Sequence, residues 1–230
     1  MISIISWNIR QGGGTRLSSI IAMVTAESPS IFVCSEYRNN HSGTLLRSKL
    51  LALGYRHQLV SGAPPNDNAV LIVSKYTFNG MIFAQADEHF THNVIEAEFE
   101  AFQLLGVYLP HKKKHRLFSF LIDRVKACDK PSIIVGDYNT GKNHIDQKGN
   151  SFWYTDDLAA LEDSGMSDAF RHLHGSQEEY SWYSHQGNGY RYDHSYVETP
   201  LLPLITTCDY LHAYRESGVS DHSPMRLNLG

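Results

Sequence analysis

Short runs rich in β-branched and aromatic residues recur from one end of the sequence to the other, and this pattern constrains the fold more than any other feature. Each run has the length of one strand. The predicted strands are residues 2–8, 31–35, 69–74, 94–99, 104–109, 132–137, 180–183 and 192–197. So many strands predict a sheet-based protein rather than a helical bundle.

Helical periodicity separates several of these runs. Two predicted helices carry apolar stripes at the i, i+3, i+4, i+7 spacing of a buried face: Leu17, Ile20, Ile21 and Val24 in one, and Leu117, Phe118, Leu121 and Val125 in the other. Residues 45–53 predict a third helix, with Thr44 as N-cap and Gly54 as its end, and residues 157–162 a fourth. Strands mixed with surface helices predict a layered α/β fold.

The sequence shows no internal repeat and no linker rich in Pro, Gly or Ser, so we expect residues 1–230 to form a single domain. With a net charge of −4, the protein lacks the overall positive potential of proteins that coat duplex DNA. Any contact with nucleic acid must therefore be local. The hydrophobic content of 42% is enough for a substantial core.

The cysteines Cys34, Cys128 and Cys208 are far apart and lack metal-ligand spacing, which favours reduced thiols over disulfides or zinc. The sequence shows no basic leader before an apolar stretch, and no apolar run approaches the ~20 residues of a membrane span. We therefore expect a soluble cytoplasmic monomer with no membrane contact and no obligate protein partner.

Polar residues follow several predicted strands, where α/β folds present catalytic groups. Asn8 follows an apolar strand, and Glu36 comes directly after Ile31–Ser35, although a solvated loop carboxylate would explain Glu36 alone. Asp137 and Asn139 lie two residues apart after Gly136 and can face the same side. An Asx-turn would also explain that pair.

A carboxylate and an imidazole share a short loop near the end of the sequence, in Ser220-Asp221-His222-Ser223-Pro224. Alone this motif carries little information. Together with Glu36, Asp137 and Asn139 it supplies what phosphodiester hydrolysis needs: oxygen ligands for a hard cation, a base for water, and donors for developing charge. Asp193 is the candidate partner that would hold His222 cationic and oriented.

The ordered motifs Trp-Asn, Ser-Glu, Val-Tyr-Leu-Pro, Gly-Asp-Tyr-Asn, Arg-Tyr-Asp and Ser-Asp-His-Ser-Pro resemble the endonuclease/exonuclease/phosphatase superfamily over residues 2–229. This resemblance implies the DNase I-like fold, a four-layered α/β sandwich in which helices flank two mixed β-sheets. It also implies a Mg²⁺ or Mn²⁺ cofactor.

The resemblance assigns roles by position. Asn8 and Glu36 would help to hold the metal and the scissile phosphate, with Asp221 as a further metal-side carboxylate. Asp137 would activate or orient water, and Asn139 would position that water or a phosphate oxygen. The remaining roles are phosphate donation by Tyr108 and transition-state stabilisation by His222 paired with Asp193.

Asp168-Ala169-Phe170-Arg171-His172, Tyr180-Ser181-Trp182-Tyr183 and Gly189-Tyr190-Arg191-Tyr192-Asp193 are most similar to the exonuclease III and AP-endonuclease branch. The chain departs from that branch at Arg10, which replaces an acidic or amide residue, and at Gln11, which replaces a glycine. The number of bound metal ions, one or two, therefore stays open. His111 replaces an asparagine, and Arg38 replaces a lysine as a candidate substrate contact. The segment 140–167 is also shorter, which predicts a weaker grip on duplex DNA.

Aromatic and basic residues suggest where substrate would bind. Trp182, Tyr190 and Tyr192 match positions that line the sugar pocket in AP endonucleases, although an ordinary aromatic core would also explain them. Tyr190 and Tyr192 alternate with Arg191 and should share a face. Further candidate substrate contacts are Arg171, Lys112, Lys113 and Lys114. The three lysines would either bind backbone phosphates or form an ordinary solvated surface.

These features favour a metal-dependent hydrolase of DNA phosphodiesters, of the 3′-exonuclease or AP-endonuclease type. A phosphatase or phosphodiesterase of a small nucleotide, sugar or lipid phosphate is the alternative, favoured by the acidic pI near 6.3. A catalytically inactive binding module is disfavoured, because every residue type of the hydrolytic set is present.

Overall fold

A computed structural model describes residues 1–83, 92–112 and 114–230. Its strands are β1 (Ile2–Asn8), β2 (Ile31–Tyr37), β3 (His57–Val60), β4 (Ala69–Ser74), β5 (Asn79–Ile82), β6 (Val94–Glu98), β7 (Gln103–Tyr108), β8 (Ser132–Asp137), β9 (Met166–Asp168), β10 (Trp182–Tyr183), β11 (Gly189–Tyr190), β12 (Asp193–Glu198), β13 (Ile205–Tyr210) and β14 (Met225–Leu229). Its α-helices are α1 (Leu17–Glu27), α2 (His41–Ala52), α3 (His115–Ala127), α4 (Thr155–Asp163), α5 (Ala169–His174) and α6 (His212–Glu216).

Two mixed sheets form the framework. The first has the strand order β13-β14-β1-β2-β4-β3, and the second has the order β5-β6-β7-β8-β12-β9. β1 runs parallel to β2, and β7 runs parallel to β8. Strands β10 and β11 pair with each other outside both sheets. The predicted architecture of two mixed sheets flanked by helices is confirmed.

Three apolar clusters separate the layers. Because successive strand residues point to opposite faces, Ile4 of β1 lies in the cluster between the two sheets, whereas Ile5 packs under α1 and α2. In β8, Ile133 likewise faces the first sheet, and Ile134 packs against α3 and α4. Strands buried on both faces read as continuous apolar runs, which explains why the sequence identified these strands well.

The sheets approach each other closely at Gly106 of β7. A Cβ atom there would lie 3.0 Å from the side chain of Val33 and 3.1 Å from that of Ile72, both on the first sheet. Protein interiors are too closely packed to absorb such a contact easily. Glycine at this position therefore lets the ends of β1, β2, β7 and β8 come together at one edge.

The predicted helices are present, but one predicted cap is wrong. α2 begins at His41, and Asn40 rather than Thr44 is its N-cap, since the Asn40 side chain accepts a hydrogen bond from the backbone N–H of Gly43. The end at Gly54 is confirmed by its φ of 94°, the left-handed region that glycine favours.

The ribbon strand β10 is shorter than the predicted 180–183, and Tyr192 precedes β12 instead of belonging to it. The sequence also missed β3, β5, β9, β11 and β13 and the helices α5 and α6. Among the described residues, no helix is long and apolar enough to cross a membrane.

Candidate active site

Side chains from both sheets meet where the parallel strands end. Asn8 is the last residue of β1, Tyr108 of β7 and Asp137 of β8. Asp193 opens β12 and pairs in register with Asp137 on the adjacent strand. His222 lies on the loop before β14, where its backbone carbonyl accepts a hydrogen bond from Trp7 Nε1 at 2.8 Å.

Asn8 connects the two sheets at this edge. Its Nδ2 donates to Asp137 Oδ2 at 2.9 Å and to Glu36 Oε1 at 3.2 Å. Its Oδ1 accepts a hydrogen bond from the backbone N–H of Arg10 at 2.9 Å, which fixes the orientation of the amide. The buried Asn8 amide therefore lies between two carboxylates and sets their separation.

Glu36 adopts a left-handed backbone conformation, with a φ of 55°, beside a bulge in the pairing of β2 with β4. Such strain in a non-glycine residue is typical of functional sites. The Glu36 carboxylate accepts hydrogen bonds from Gln11 N at 2.8 Å and from Tyr108 Oη at 3.4 Å. Asn68 Nδ2 donates a hydrogen bond to the same Tyr108 oxygen, and Asn68 Oδ1 accepts one from Arg38 Nε. Arg38 is therefore connected to Tyr108 through Asn68.

Asp137 is 1% exposed. Burial, together with the charge of Asp193, raises the pKa of Asp137 to about 7, although His222 acts in the opposite direction. Asn139 donates to both carboxylate oxygens, from its backbone N–H at 2.9 Å and from Nδ2 at 3.1 Å. The two residues thus form an Asx-turn and also share a face, so both readings of the sequence pattern hold.

Gly136 makes this turn possible. Its φ is 152°, and a Cβ there would lie 1.9 Å from the carbonyl oxygen of Val107. Any larger residue would push β8 away from β7 and displace the Asp137 carboxylate.

His222 Nδ1 lies 2.8 Å from Asp193 Oδ2, and both side chains are buried. Burial alone would lower the pKa of His222, but the charges of Asp193 and then Asp137 raise it to about 10. The imidazole is therefore cationic at neutral pH. It is a fixed hydrogen-bond donor beside Asp137.

The buried group able to hold a cation differs from the predicted metal ligands. Asp137, Asp193 and His222 each offer a ligand atom within 4.8 Å of the others. Asp221 lies outside this group, with its side chain 41% exposed and its Oδ2 3.4 Å from Trp182 Nε1. Glu36 is linked to Asp137 through Asn8, whose Nδ2 donates to both carboxylates. The three predicted ligands thus border this buried group.

Aromatic rings form one wall of the site. The rings of Tyr190 and Tyr192 are stacked, with their centroids 5.4 Å apart and their planes at 10°, which confirms the predicted shared face. Trp182 contacts both, with centroid distances of 5.9 Å and 5.4 Å. The Tyr192 and Trp182 rings also lie 6.4 Å and 6.5 Å from that of His222.

A cavity of about 210 Å³ opens beside this wall. It is lined by His111, Asn139, Asn150, Ser151, Phe152, Trp153, Tyr154, Tyr190 and Tyr192. Sequence reasoning missed the segment 150–154, although three consecutive aromatic residues after Asn150-Ser151 were a usable signal. Trp153 is 59% exposed, and the ammonium of Lys112 lies 5.4 Å from its ring centroid.

Two predicted substrate contacts are corrected. Lys114 is fully buried, and its Nζ donates to the backbone carbonyls of Tyr138 and Asn139. Arg171 directs its guanidinium to Asp146 and to the carbonyls of Ile145, Gly175 and Gln177. Both cations are already occupied by the protein. Lys112 is exposed beside the cavity, and Lys113 lies outside the described residues.

The comparison with protein families decides the relationship. The sequence model of the Endonuclease/Exonuclease/phosphatase family matches residues 5–222. The chain belongs to this family. The matched range contains all the side chains of the site described above, from Asn8 to His222.

Curated members with similar sequences include Recombination repair protein 1 of Drosophila melanogaster, 24% identical over 98% of this chain and 37% of that protein. An exodeoxyribonuclease of Streptococcus pneumoniae is 27% identical over 59% of this chain and 58% of its own length. A DNA-(apurinic or apyrimidinic site) endonuclease of Arabidopsis thaliana is 28% identical over 59% and 50%. The chain thus spans between about a third and three fifths of these relatives.

Solved structures share the fold over the full length. An AP endonuclease from Archaeoglobus fulgidus superimposes with a TM-score of 0.85 at 20% identity, covering 100% of this chain and 99% of the other. The 3′ phosphatase NExo from Neisseria bound to product DNA hairpin gives a TM-score of 0.85 at 20% identity, with 100% of both chains covered.

Proposed function

We propose that this member of the family is a divalent-metal-dependent phosphodiester hydrolase acting on DNA, of the 3′-exonuclease or AP-endonuclease type. The observation that carries the proposal is the buried pair of Asp137 and His222, held beside each other by hydrogen bonds with Asn8 and Asp193. Burial raises the pKa of Asp137 to about 7, and the charge of Asp193 helps to raise the pKa of His222 to about 10. A carboxyl with a pKa near neutral pH suits a general base, and a cationic imidazole suits a donor to developing negative charge. The similarity to an exodeoxyribonuclease and to an abasic-site endonuclease supports the same chemistry.

In the proposed reaction, Asp137 accepts a proton from the attacking water. The water oxygen forms a bond to phosphorus, and the bond from phosphorus to the leaving oxygen breaks. His222 donates a hydrogen bond to a non-bridging phosphate oxygen as negative charge develops there. Asn139 holds the Asp137 carboxylate in place, and Tyr108 is the second donor at the phosphate.

The donor set fits a hard divalent cation. Asp137, Asp193, Glu36 and Asp221 bring several carboxylates to one cleft, and the raised pKa of Asp137 reflects the cost of that buried charge. A bound Mg²⁺ or Mn²⁺ would polarise the phosphate and offset this cost. Glu36 and Asn8, with Asp221 at the rim, are the proposed protein ligands, and Asp137 faces the same space.

DNA is the proposed substrate because groups suited to a nucleotide surround the phosphate site. The cavity beside Asn139 combines aromatic walls with the polar side chains of Asn150 and Ser151. Exposed Trp153 and Lys112 at its edge could contact a base and a backbone phosphate that extend beyond the scissile bond. The structure of a Neisseria relative bound to product DNA hairpin supports this choice.

A phosphatase of small phosphate esters is the second candidate, and one observation favours it. The cavity volume of about 210 Å³ is below the range of roughly 300–1,000 Å³ that is usual for whole drug-sized ligands. A single sugar phosphate would fill such a space without any contact to a longer strand.

A substrate panel with Mg²⁺ and Mn²⁺ tests the proposal. Labelled duplex, single-stranded and abasic DNA, RNA, a 3′-phosphorylated strand and a small phosphate ester are each incubated with and without EDTA. We expect metal-dependent cleavage of DNA phosphodiesters. Turnover of the small ester at a higher kcat/KM than any DNA would support the second candidate, and cleavage that EDTA leaves unchanged would exclude metal dependence.

A further inference from the structure

Lys114 is a fully buried lysine within an exposed basic segment. Its neighbours His111, Lys112, His115 and Arg116 are exposed, whereas Lys114 has a relative accessibility of 0%. Its Nζ donates to the carbonyl oxygen of Tyr138 at 2.8 Å and to that of Asn139 at 2.9 Å. Lysine is almost never fully buried, so this placement calls for a physical explanation.

The burial of this ammonium is unfavourable for the isolated group. Burial lowers the pKa of Lys114 to about 7, although the charges of Asp137 and Asp157 act in the opposite direction. The two carbonyls and the ring of Tyr154, whose centroid lies 5.0 Å from Nζ, compensate part of the lost hydration. An apolar residue would fill the same space without that cost.

The two carbonyls belong to the turn that carries the proposed catalytic groups. Asn139 has a φ of 49°, the left-handed conformation that non-glycine residues rarely adopt. In this conformation its backbone N–H and Nδ2 both reach Asp137, and Nδ2 also reaches the carbonyl oxygen of Leu109 at 3.0 Å. A rotation of the Asn139 backbone would remove these hydrogen bonds from Asp137.

We propose that Lys114 is a positioning residue for Asp137: its ammonium holds the carbonyls of Tyr138 and Asn139 so that Asn139 keeps the hydrogen bonds that orient the Asp137 carboxylate. Lys114 acts on the reaction through Asn139 and touches no substrate. This inference rests on the proposed function for its kinetic consequences, but its structural part does not depend on it.

The segment before α3 carries two lysines with different proposed roles. Lys112, at the edge of the cavity, and Lys114, under the catalytic turn, are two residues apart on the same short connection. The connection therefore links the outer surface proposed to meet DNA to the turn proposed to activate water. Removal of the Lys114 charge should affect the chemical step, whereas removal of the Lys112 charge should affect binding.

Kinetics on metal-loaded enzyme test the inference with Lys114→Met, Asn139→Ala and the double variant. We expect Lys114→Met to lower kcat by about 10- to 100-fold, the size of effect that a misplaced catalytic group produces, with KM and half-saturating Mg²⁺ nearly unchanged. In the Asn139→Ala background, Lys114→Met should cause little further loss, because both changes remove one linked arrangement. Lys142→Met is the matched control, since the Lys142 ammonium pairs with Glu162 instead.

Hydrogen exchange gives a readout that does not need activity. The backbone amide of Asn139, bonded to Asp137 Oδ1, should exchange at least about tenfold faster in Lys114→Met than in the wild type, while the amide of Ile133 in β8 is unchanged. Lys114→Gln, which keeps a donor without the charge, serves if Lys114→Met does not fold. It should show an intermediate exchange rate.

Three results would overturn the inference. Multiplicative losses in the double variant would mean that Lys114 does not act through Asn139. A rise in KM alone would make Lys114 a substrate contact. Unchanged exchange at Asn139 in a folded variant would mean that the ammonium does not hold the turn. If no DNA substrate is cleaved at all, the proposed function fails, but the exchange result still decides whether Lys114 holds the turn.

Discussion

Asp193 Oδ2 lies 2.8 Å from Nδ1 of His222, inside the protein and beside a second buried carboxylate, that of Asp137. The imidazole is thus a buried cation between two acids. Its charge depends on Asp193 more than on any other group, since Asp193 is the largest influence that raises its pKa.

Asp193→Asn should therefore move the alkaline limit of activity to lower pH. His222 has a folded pKa of about 10, and a cationic donor is lost as pH rises through that value. Without the Asp193 charge the pKa of His222 falls, so we expect the alkaline limb of the kcat–pH profile to shift down by at least about one unit. Asp163→Asn, a change of an exposed acid, is the control, and an unshifted limb would remove His222 as the cationic donor.

Asp137→Asn should lower kcat by roughly two to four orders of magnitude, the loss expected for a general base. We also expect it to remove one pH-dependent contribution to the stability of the metal-free protein. The pKa of Asp137 is raised from 3.8 to about 7, so the folded state binds more protons in that interval and the carboxyl's contribution to stability falls as pH rises through it. Asp137→Asn has no carboxyl at this position, so its stability does not fall in this way as pH rises.

The measurement is the difference in Tm between Asp137→Asn and the wild type in EDTA. This difference should grow in favour of the variant from about pH 4 to about pH 7 and then level off. Saturating Mg²⁺ should reduce it, because a cation offsets the buried charge. A constant difference across this range would contradict the raised pKa of Asp137.

Glu36→Gln should weaken metal dependence, because a neutral amide is a poorer ligand for a hard cation than a carboxylate. We expect the Mg²⁺ concentration for half-maximal activity to rise at least about tenfold, with a smaller change in kcat at saturating metal. Glu98→Gln is the matched control, because Glu98 lies on β6 and pairs with Lys130. A Mg²⁺ titration identical to that of the wild type would remove Glu36 from the proposed metal ligands.

Trp153 and Lys112 should distinguish a polynucleotide from a small ester as substrate. Lys112→Ala should reduce kcat/KM on DNA and lower the slope of log kcat/KM against log salt by about one, as expected for one lost phosphate contact. Trp153→Ala should reduce kcat/KM on single-stranded DNA by about 5- to 100-fold, whereas Trp153→Phe should retain most of it.

Neither change should affect hydrolysis of a minimal phosphate ester. Lys49→Ala, on the exposed face of α2, is the matched control for charge. Equal losses on DNA and on the minimal ester would show that these residues support the site instead of binding an extended strand.

The sequence predicted the strands that are buried on both faces, because they depend on local patterns. The structure brings the predicted residues Asn8, Asp137, Asp193 and His222 together, whereas their proposed catalytic roles stay predictions. β1, β4 and β8 have the predicted bounds. The missed strands lack such a pattern: β5 is exposed throughout and contains Asn79-Gly80, which disfavour a strand, and β9 has only three residues. Their pairing depends on partners distant in sequence.

The internal contacts of Lys114 and Arg171 could not be predicted for a related reason. From the sequence, basic residues next to a cleft motif can be substrate contacts or solvated surface, and only tertiary structure shows which of them are buried. Arg171 pairs with Asp146, which is 25 residues away and also binds the buried Arg191. No local spacing in the sequence indicates that Asp146 would accept both guanidinium groups.

The central position of β1 has a consequence for the order in which the protein is made. β1 lies between β2 and β14, with Ile2 opposite Leu229. The backbone carbonyl of His222 accepts a hydrogen bond from the indole N–H of Trp7. During synthesis, Trp7 can form its hydrogen bond to His222 only after 215 further residues have been added. A nascent chain that ends before His222 already holds Asn8, Glu36 and Asp137, but the proposed site stays incomplete until the late segment folds back onto β1.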